Sequence, residues 1–169
     1  MKSPLLKSIF LFSASLVFSV HAYSLFPVFH SQTVAHGKTN RVIDGDTFVL
    51  VNEKGEEKKI RLACIDAPEK DQYFGIYAKN YLNDKLAGKD NIVVNIIDID
   101  KYGRYIAFVG DDGNVNKDMV RNGYAWVYRQ YCHDPSYLNL EVDAKKKKIG
   151  LWENDNPIPP WEWRHEKKG

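Results

Sequence analysis

The sequence predicts an α+β fold, a small β-barrel carrying about three α-helices. Three observations point to it. Short β-rich runs follow one another without the helical crossovers of a βαβ unit, which argues against a doubly wound sheet. Three segments have helical spacing and end on glycine or just before it. Charged residues close or follow the apolar runs, where a barrel places side chains at its mouth.

The elements follow in order. Lys2 and Lys7 precede an apolar stretch through Val20, and Val20-His21-Ala22 supplies small residues at the −3 and −1 positions. Residues 1–22 are therefore expected to be a cleaved secretory signal, too short for a full membrane span. The expectation is an exported protein, periplasmic or secreted, monomeric and without stable membrane association once cleaved. Residues 23–39 have no sustained period and read as a loose leader. Residues 40–51 read as a strand, with Val42, Phe48 and Leu50 apolar. Asn52 to Glu56 is a turn with Gly55 inside it. Residues 57–65 form the next strand, ended by Ala67-Pro68 because proline cannot continue a ladder in mid-sheet.

Residues 75–87 suit a helix, with Ala78, Leu82 and Leu86 on one face and Gly88 as its stop. Asn91 to Ile99 and Arg104 to Val109 read as strands. A short helix near 117–122 ends at Gly123, and Tyr124 to Val127 is a short β-like run. Asp134-Pro135 gives an N-cap and a proline at N1 for a helix over about 135–149, with Leu138, Val142 and Ile149 inward. Residues 154–169 read as an extended Pro/Trp-rich tail whose tryptophans pack back on the domain, or else serve a partner. Lys145 to Lys148 spread around a helix, so they read as solvated surface rather than a binding patch.

Hydrophobic residues make up 44% and charged residues 27%, which fits one soluble domain with a real core. Removing residues 1–22 lowers Lys+Arg from 24 to 22, against 22 Asp+Glu, a net charge of zero. Any attraction for nucleic acid must then be local rather than global. Cys64 and Cys132 remain after cleavage, and an oxidising compartment would allow them to pair. Spacing alone leaves the pairing open.

The charged groups are Asp44-Gly45-Asp46-Thr47, then Arg61 through Glu69, then Asp100 through Arg104. Asp-Gly alone is an ordinary turn signal. Asp66 at a strand end adds a second carboxylate, and carboxylates with a backbone carbonyl and waters suit a hard cation such as calcium. A further carboxylate can serve as a base. Two arginines offer planar forks to phosphate oxygens and to charge developing at phosphorus. Taken one at a time, each residue also has a plain reading as loop acid, cross-strand ion pair or surface arginine. Together they are what metal-assisted phosphodiester hydrolysis needs.

The order D-G-D-T, R-L-x-x-I-D-A-P-E, D-K-Y-G-R, continued by Val120 to Ala125 and Ile149 to Trp152, resembles the staphylococcal nuclease family. The resemblance covers roughly residues 40 to 153, which are expected to be the nuclease domain. It implies a five-stranded OB-type Greek-key barrel. It implies calcium held by Asp46, Asp66 and the main-chain carbonyl of Ala67, a position where the family often has threonine. It makes Glu69 the general base and Arg61 and Arg104 catalytic. It implies DNA and RNA as substrates, cleaved with little sequence preference to leave 3′-phosphate ends. Lys101, Tyr102, Arg129 and Tyr131 are candidates for gripping nucleotide by charge or stacking. The family has two tyrosines in the last of these regions, and here Arg129 stands at one of them. Two rivals remain: a non-catalytic OB module that binds single strands, and an interaction protein acting through the Trp-rich tail. The presence of all five positions, Asp46, Arg61, Asp66, Glu69 and Arg104, counts against the first.

Overall fold

The computed structural model describes residues 33–167. The segment read as a signal, residues 1–22, lies outside them, as does the start of the leader. Five strands close a barrel in the order β1-β2-β3-β6-β5. They are β1 (Thr33–Asp44), β2 (Thr47–Val51), β3 (Glu57–Leu62), β5 (Ile92–Ile99) and β6 (Tyr105–Val109). All neighbours are antiparallel except β3 and β6, which run parallel. A two-stranded sheet, β4 (Ile65–Asp66) with β7 (Trp126–Val127), sits beside the barrel.

The alternation of the strands explains the closure. Phe48, Leu50, Ile60, Leu62, Val94, Ala107 and Val109 are buried in one core. Helix α1 (Gly75–Leu86) adds Ala78, Leu82 and Leu86, and helix α2 (Asn114–Arg121) adds Val115, Met119 and Val120. The seam is β1. Its first residues pair with β5, from Thr33 opposite Ile96 to Gly37 opposite Ile92, and its later residues pair with β2. Residues 33–39, expected to be a loose leader, are therefore strand, and the single strand expected over 40–51 is broken by a two-residue turn at Gly45-Asp46. Their exposed, irregular side chains hid the pairing, since this part of β1 buries little besides Gly37.

Two further expectations are corrected. Helix α3 (Pro135–Lys146) starts on the Asp134 cap, whose carboxylate accepts from the Ser136 N–H, but it buries Tyr137, Glu141 and Ala144. Leu138 and Val142, expected inward, are exposed. The helix is turned because Glu141 is anchored inside, accepting from the Val127 N–H at 2.9 Å, Arg129 at 2.9 Å and Lys145 at 3.0 Å. The tail is not wholly extended either: Pro160–Glu166 forms a fourth helix, α4, with Pro160 at its N-terminus.

Two devices fix the end of β3. Asn116 of α2 is fully buried; its Oδ1 accepts from the Val109 N–H, and its Nδ2 donates to the Ala63 and Ala107 carbonyls, each at 3.0 Å. Beyond it, Cys64 takes a left-handed backbone with φ of 68° and forms a disulfide with Cys132, the Cα atoms 4.5 Å apart. The bond ties the loop after β7 to the turn that leads into Asp66.

Candidate active site

The β1–β2 turn, the end of β3 and the start of β4 meet at one end of the barrel. Thr47 faces Arg61 across the β2–β3 ladder, and the Asp46 carbonyl accepts from the Leu62 N–H at 2.8 Å. Asp46 is buried, and its carboxylate accepts from the Thr47 hydroxyl at 2.9 Å and the Ala67 N–H at 3.0 Å. The turn can approach Ala67 this closely because residue 45 is glycine. A Cβ there would lie 2.7 Å from the Cβ atoms of both Ala67 and Ala78.

Arg61 joins the two aspartates. Its Nη1 lies 2.5 Å from Asp46 Oδ2, an ion pair rather than an aligned hydrogen bond, and its Nη2 donates to Asp66 Oδ1 at 3.0 Å and to the Ile65 carbonyl at 3.3 Å. Asp66 is only 1% exposed. Glu69 lies three residues on, past Pro68, with a side chain 35% exposed. Its backbone is clasped by Gln72, which donates its N–H to the Glu69 carbonyl at 2.9 Å and accepts from the Glu69 N–H at 3.1 Å. Gly75 allows this loop to fold back, because a Cβ there would lie 1.8 Å from the Glu69 carbonyl oxygen.

The carboxylates perturb one another. Burial, and then repulsion from Asp46, push Asp44 up to about 7. Burial pushes Asp46 up as well, but the Arg61 guanidinium and the Ala67 N–H override it and hold this carboxyl below its usual range. Asp66 is raised, with burial outweighing its arginine partners. The Arg61 guanidinium stays charged despite burial because Asp46 and Asp66 flank it. Crowded oxygen donors of this kind fit a hard divalent cation. Among the described residues no three acidic, histidine or cysteine side chains converge as a ready cluster. Asp46 and Asp66 are the buried carboxylates here that could contribute oxygens to such an ion.

The other candidates stand apart. Arg104 precedes Tyr105, the partner of Ile60 on β3, and its Nε donates to Asp100 Oδ2 at 2.6 Å. Hydrogen bonds from Arg104 and Tyr102 hold Asp100 below the usual carboxylate range against its own desolvation. Lys101 and Tyr102 are exposed on the same turn, with the Lys101 ammonium 5.1 Å and the Arg104 guanidinium 5.6 Å from the Tyr102 ring. Arg129 pairs with the buried Glu141 of α3 at 2.9 Å. Tyr131 is exposed and packs on Tyr128 with centroids 4.9 Å apart.

One residue at this centre had no signal in the sequence. Arg164 of α4 donates through Nη2 to Asp66 Oδ2 at 2.7 Å, and through Nη1 to Glu69 Oε1 at 2.7 Å and Asp66 Oδ1 at 3.2 Å. Trp161 places the helix, stacking on Tyr128 at 5.8 Å and meeting Trp126 edge-on at 5.7 Å. The Gln72 side chain also donates to the Ile158 carbonyl at 2.6 Å, so the Glu69 loop and the tail are one hydrogen-bonded unit.

Comparison with known proteins bears on the family. The family model for staphylococcal nuclease homologues matches residues 59–154. An uncharacterized endonuclease of Escherichia coli O157:H7 is 42% identical over 134 residues, covering 78% of this chain and 86% of the relative. An uncharacterized endonuclease of Haemophilus influenzae is 43% identical over 129 residues, 76% of this chain and 72% of that one. A micrococcal nuclease of Shigella flexneri is 37% identical over 145 residues, 78% and 82% of the two chains. With a closed five-stranded barrel and relatives matched over most of their length, the chain belongs to the staphylococcal nuclease family and is a nuclease, a hydrolase acting on nucleic acid.

Proposed function

We propose that the chain is a calcium-dependent nuclease that hydrolyses DNA and RNA with little sequence preference. The observation that carries this reading is the buried Asp46–Arg61–Asp66 constellation, with the half-buried Glu69 three residues beyond Asp66. A cation held by Asp46, Asp66 and the Ala67 carbonyl would supply charge for the phosphate oxygens and polarise water. Glu69 accepts the proton of the attacking water. The oxygen of that water bonds to phosphorus as the bond to the 5′ oxygen breaks; the departing oxygen takes a proton from solvent, which leaves a 3′-phosphate and a 5′-hydroxyl. Arg61 meets a phosphate oxygen from within the barrel wall, and Arg104 meets the developing charge from the β5–β6 turn. Lys101, Tyr102, Arg129 and Tyr131 grip the flanking nucleotides without reading sequence. The protein works outside the cytoplasm, and the Cys64–Cys132 disulfide supports an oxidising compartment.

The test is degradation of single-stranded DNA by the purified chain with calcium, with magnesium and with chelator, run beside Glu69→Gln. Expected are activity in calcium alone and a loss of about 10²–10⁴ in turnover for Glu69→Gln. Equal activity in magnesium would overturn the calcium assignment. Glu69→Gln cleaving at close to the parental rate would overturn the base. A folded parental chain that binds the DNA and never cuts it would favour a binding module.

A further inference from the structure

The carboxylates of the candidate site are already partnered by a positive group from the far end of the chain. Both oxygens of Asp66 accept from Arg164, and Oδ1 accepts from Arg61 as well. The same Arg164 guanidinium reaches Glu69. It thus bridges the assigned metal ligand and the assigned base, two roles that call for free oxygen lone pairs.

Lone-pair occupancy favours exchange over coexistence. Arg164 takes both oxygens of Asp66 and one of Glu69, the atoms a cation and a base would need. A dication brought onto those oxygens would also repel the guanidinium where little water screens them. The Arg164 side chain is 37% exposed, so it can swing to solvent while Trp161 and the Ile158 carbonyl keep α4 in place.

We propose that Arg164 is a further residue of this active site, a tethered guanidinium that competes with the divalent cation for Asp66 and Glu69 and so sets how much metal the enzyme requires. The proposal rests on the reading that Asp46 and Asp66 hold the cation. It gives the tail a role at the centre, where its helix and tryptophans deliver one arginine to two carboxylates about 95 residues earlier, consistent with the sequence separation of that contact.

The experiment is calorimetric titration of calcium into the full chain without nucleic acid, for the parental protein, Arg164→Gln, Arg164→Lys and Asp46→Asn. Removal of the competitor should tighten calcium binding in Arg164→Gln by at least about fivefold, the lower end of ordinary coupling between two ligands. Arg164→Lys should fall between the two, because an ammonium keeps the charge but cannot bridge both carboxylates as a fork does. It also serves as the test should Arg164→Gln fail to fold. Reciprocally, Arg164→Gln should melt below the parental chain in chelator, with the gap closing as calcium is added. A merely structural arginine predicts the opposite sign, weaker calcium binding once the site loosens. Equal or weaker binding in Arg164→Gln would overturn the proposal and leave the metal site intact. If the parental chain and both Arg164 variants bind no calcium, the metal reading falls and this proposal falls with it. Calcium binding that survives unchanged in Asp46→Asn would likewise place the ion elsewhere and overturn both.

Discussion

Arg61 and Arg104 carry the same side chain into opposite surroundings. Arg61 is buried in the barrel wall and divided between Asp46 and Asp66. Arg104 stands on the rim, its side chain 25% exposed and tied to Asp100 of its own turn. A buried guanidinium between two acids belongs to the fold as much as to the chemistry, because removing it strands uncompensated charge. A rim guanidinium held by one local partner can change with little effect on the fold. The pair separates an arginine that both stabilises the site and acts in it from one whose part is in the chemistry alone.

The largest effect should come from Arg61→Gln. It should lower stability by about 3–5 kcal/mol, as breaking a buried ion pair does, and remove activity as well. Chemical denaturation in chelator checks the first part; a midpoint unchanged from the parental chain would erase the contrast between the two arginines. Arg104→Gln should leave stability within about 1 kcal/mol. It should nonetheless cost about 10²–10³ in turnover, the typical effect of removing one group that stabilises transition-state charge. A stable variant with parental turnover would show that Arg104 serves only its turn. The smallest effect belongs to the frame between them. Gly45→Ala would press a methyl group against Ala67 and Ala78, and overpacking of this kind costs about 1–3 kcal/mol. Thermal denaturation reads it, and a parental midpoint would mean that the β1–β2 turn shifts freely.

The same contrast shows what the sequence could reveal. Arg61 and Asp66 are legible because a charged residue inside an apolar run is conspicuous, and the D-G-D-T turn is legible because its chemistry is local. The strands from Val42 to Val109 could be read from alternation, and α1 from its apolar spacing with Gly88. Three features depended on partners in other elements or on burial that no local pattern announces. Residues 33–39 look polar because their contribution is backbone pairing to β5, which side chains do not announce. The face of α3 was turned by Glu141, a buried acid whose partners are the Val127 N–H, Arg129 and Lys145. Arg164 sits in a Pro/Trp-rich stretch where nothing local distinguishes it from a surface arginine. Its meaning comes only from the docking of α4.

The dual pairing of β1 has a practical consequence for anyone shortening this protein. A cut at residue 40, where the apolar alternation begins, would remove Thr33 to Gly37, the partners of Ile92 to Ile96. The edge of β5 that β1 covers would then face solvent, an open edge that invites pairing with another chain. A version cut only at residue 40 would keep every charged side chain of the catalytic end and become prone to aggregate. The minimal soluble unit therefore begins no later than Thr33, well before the matched family segment that starts at residue 59.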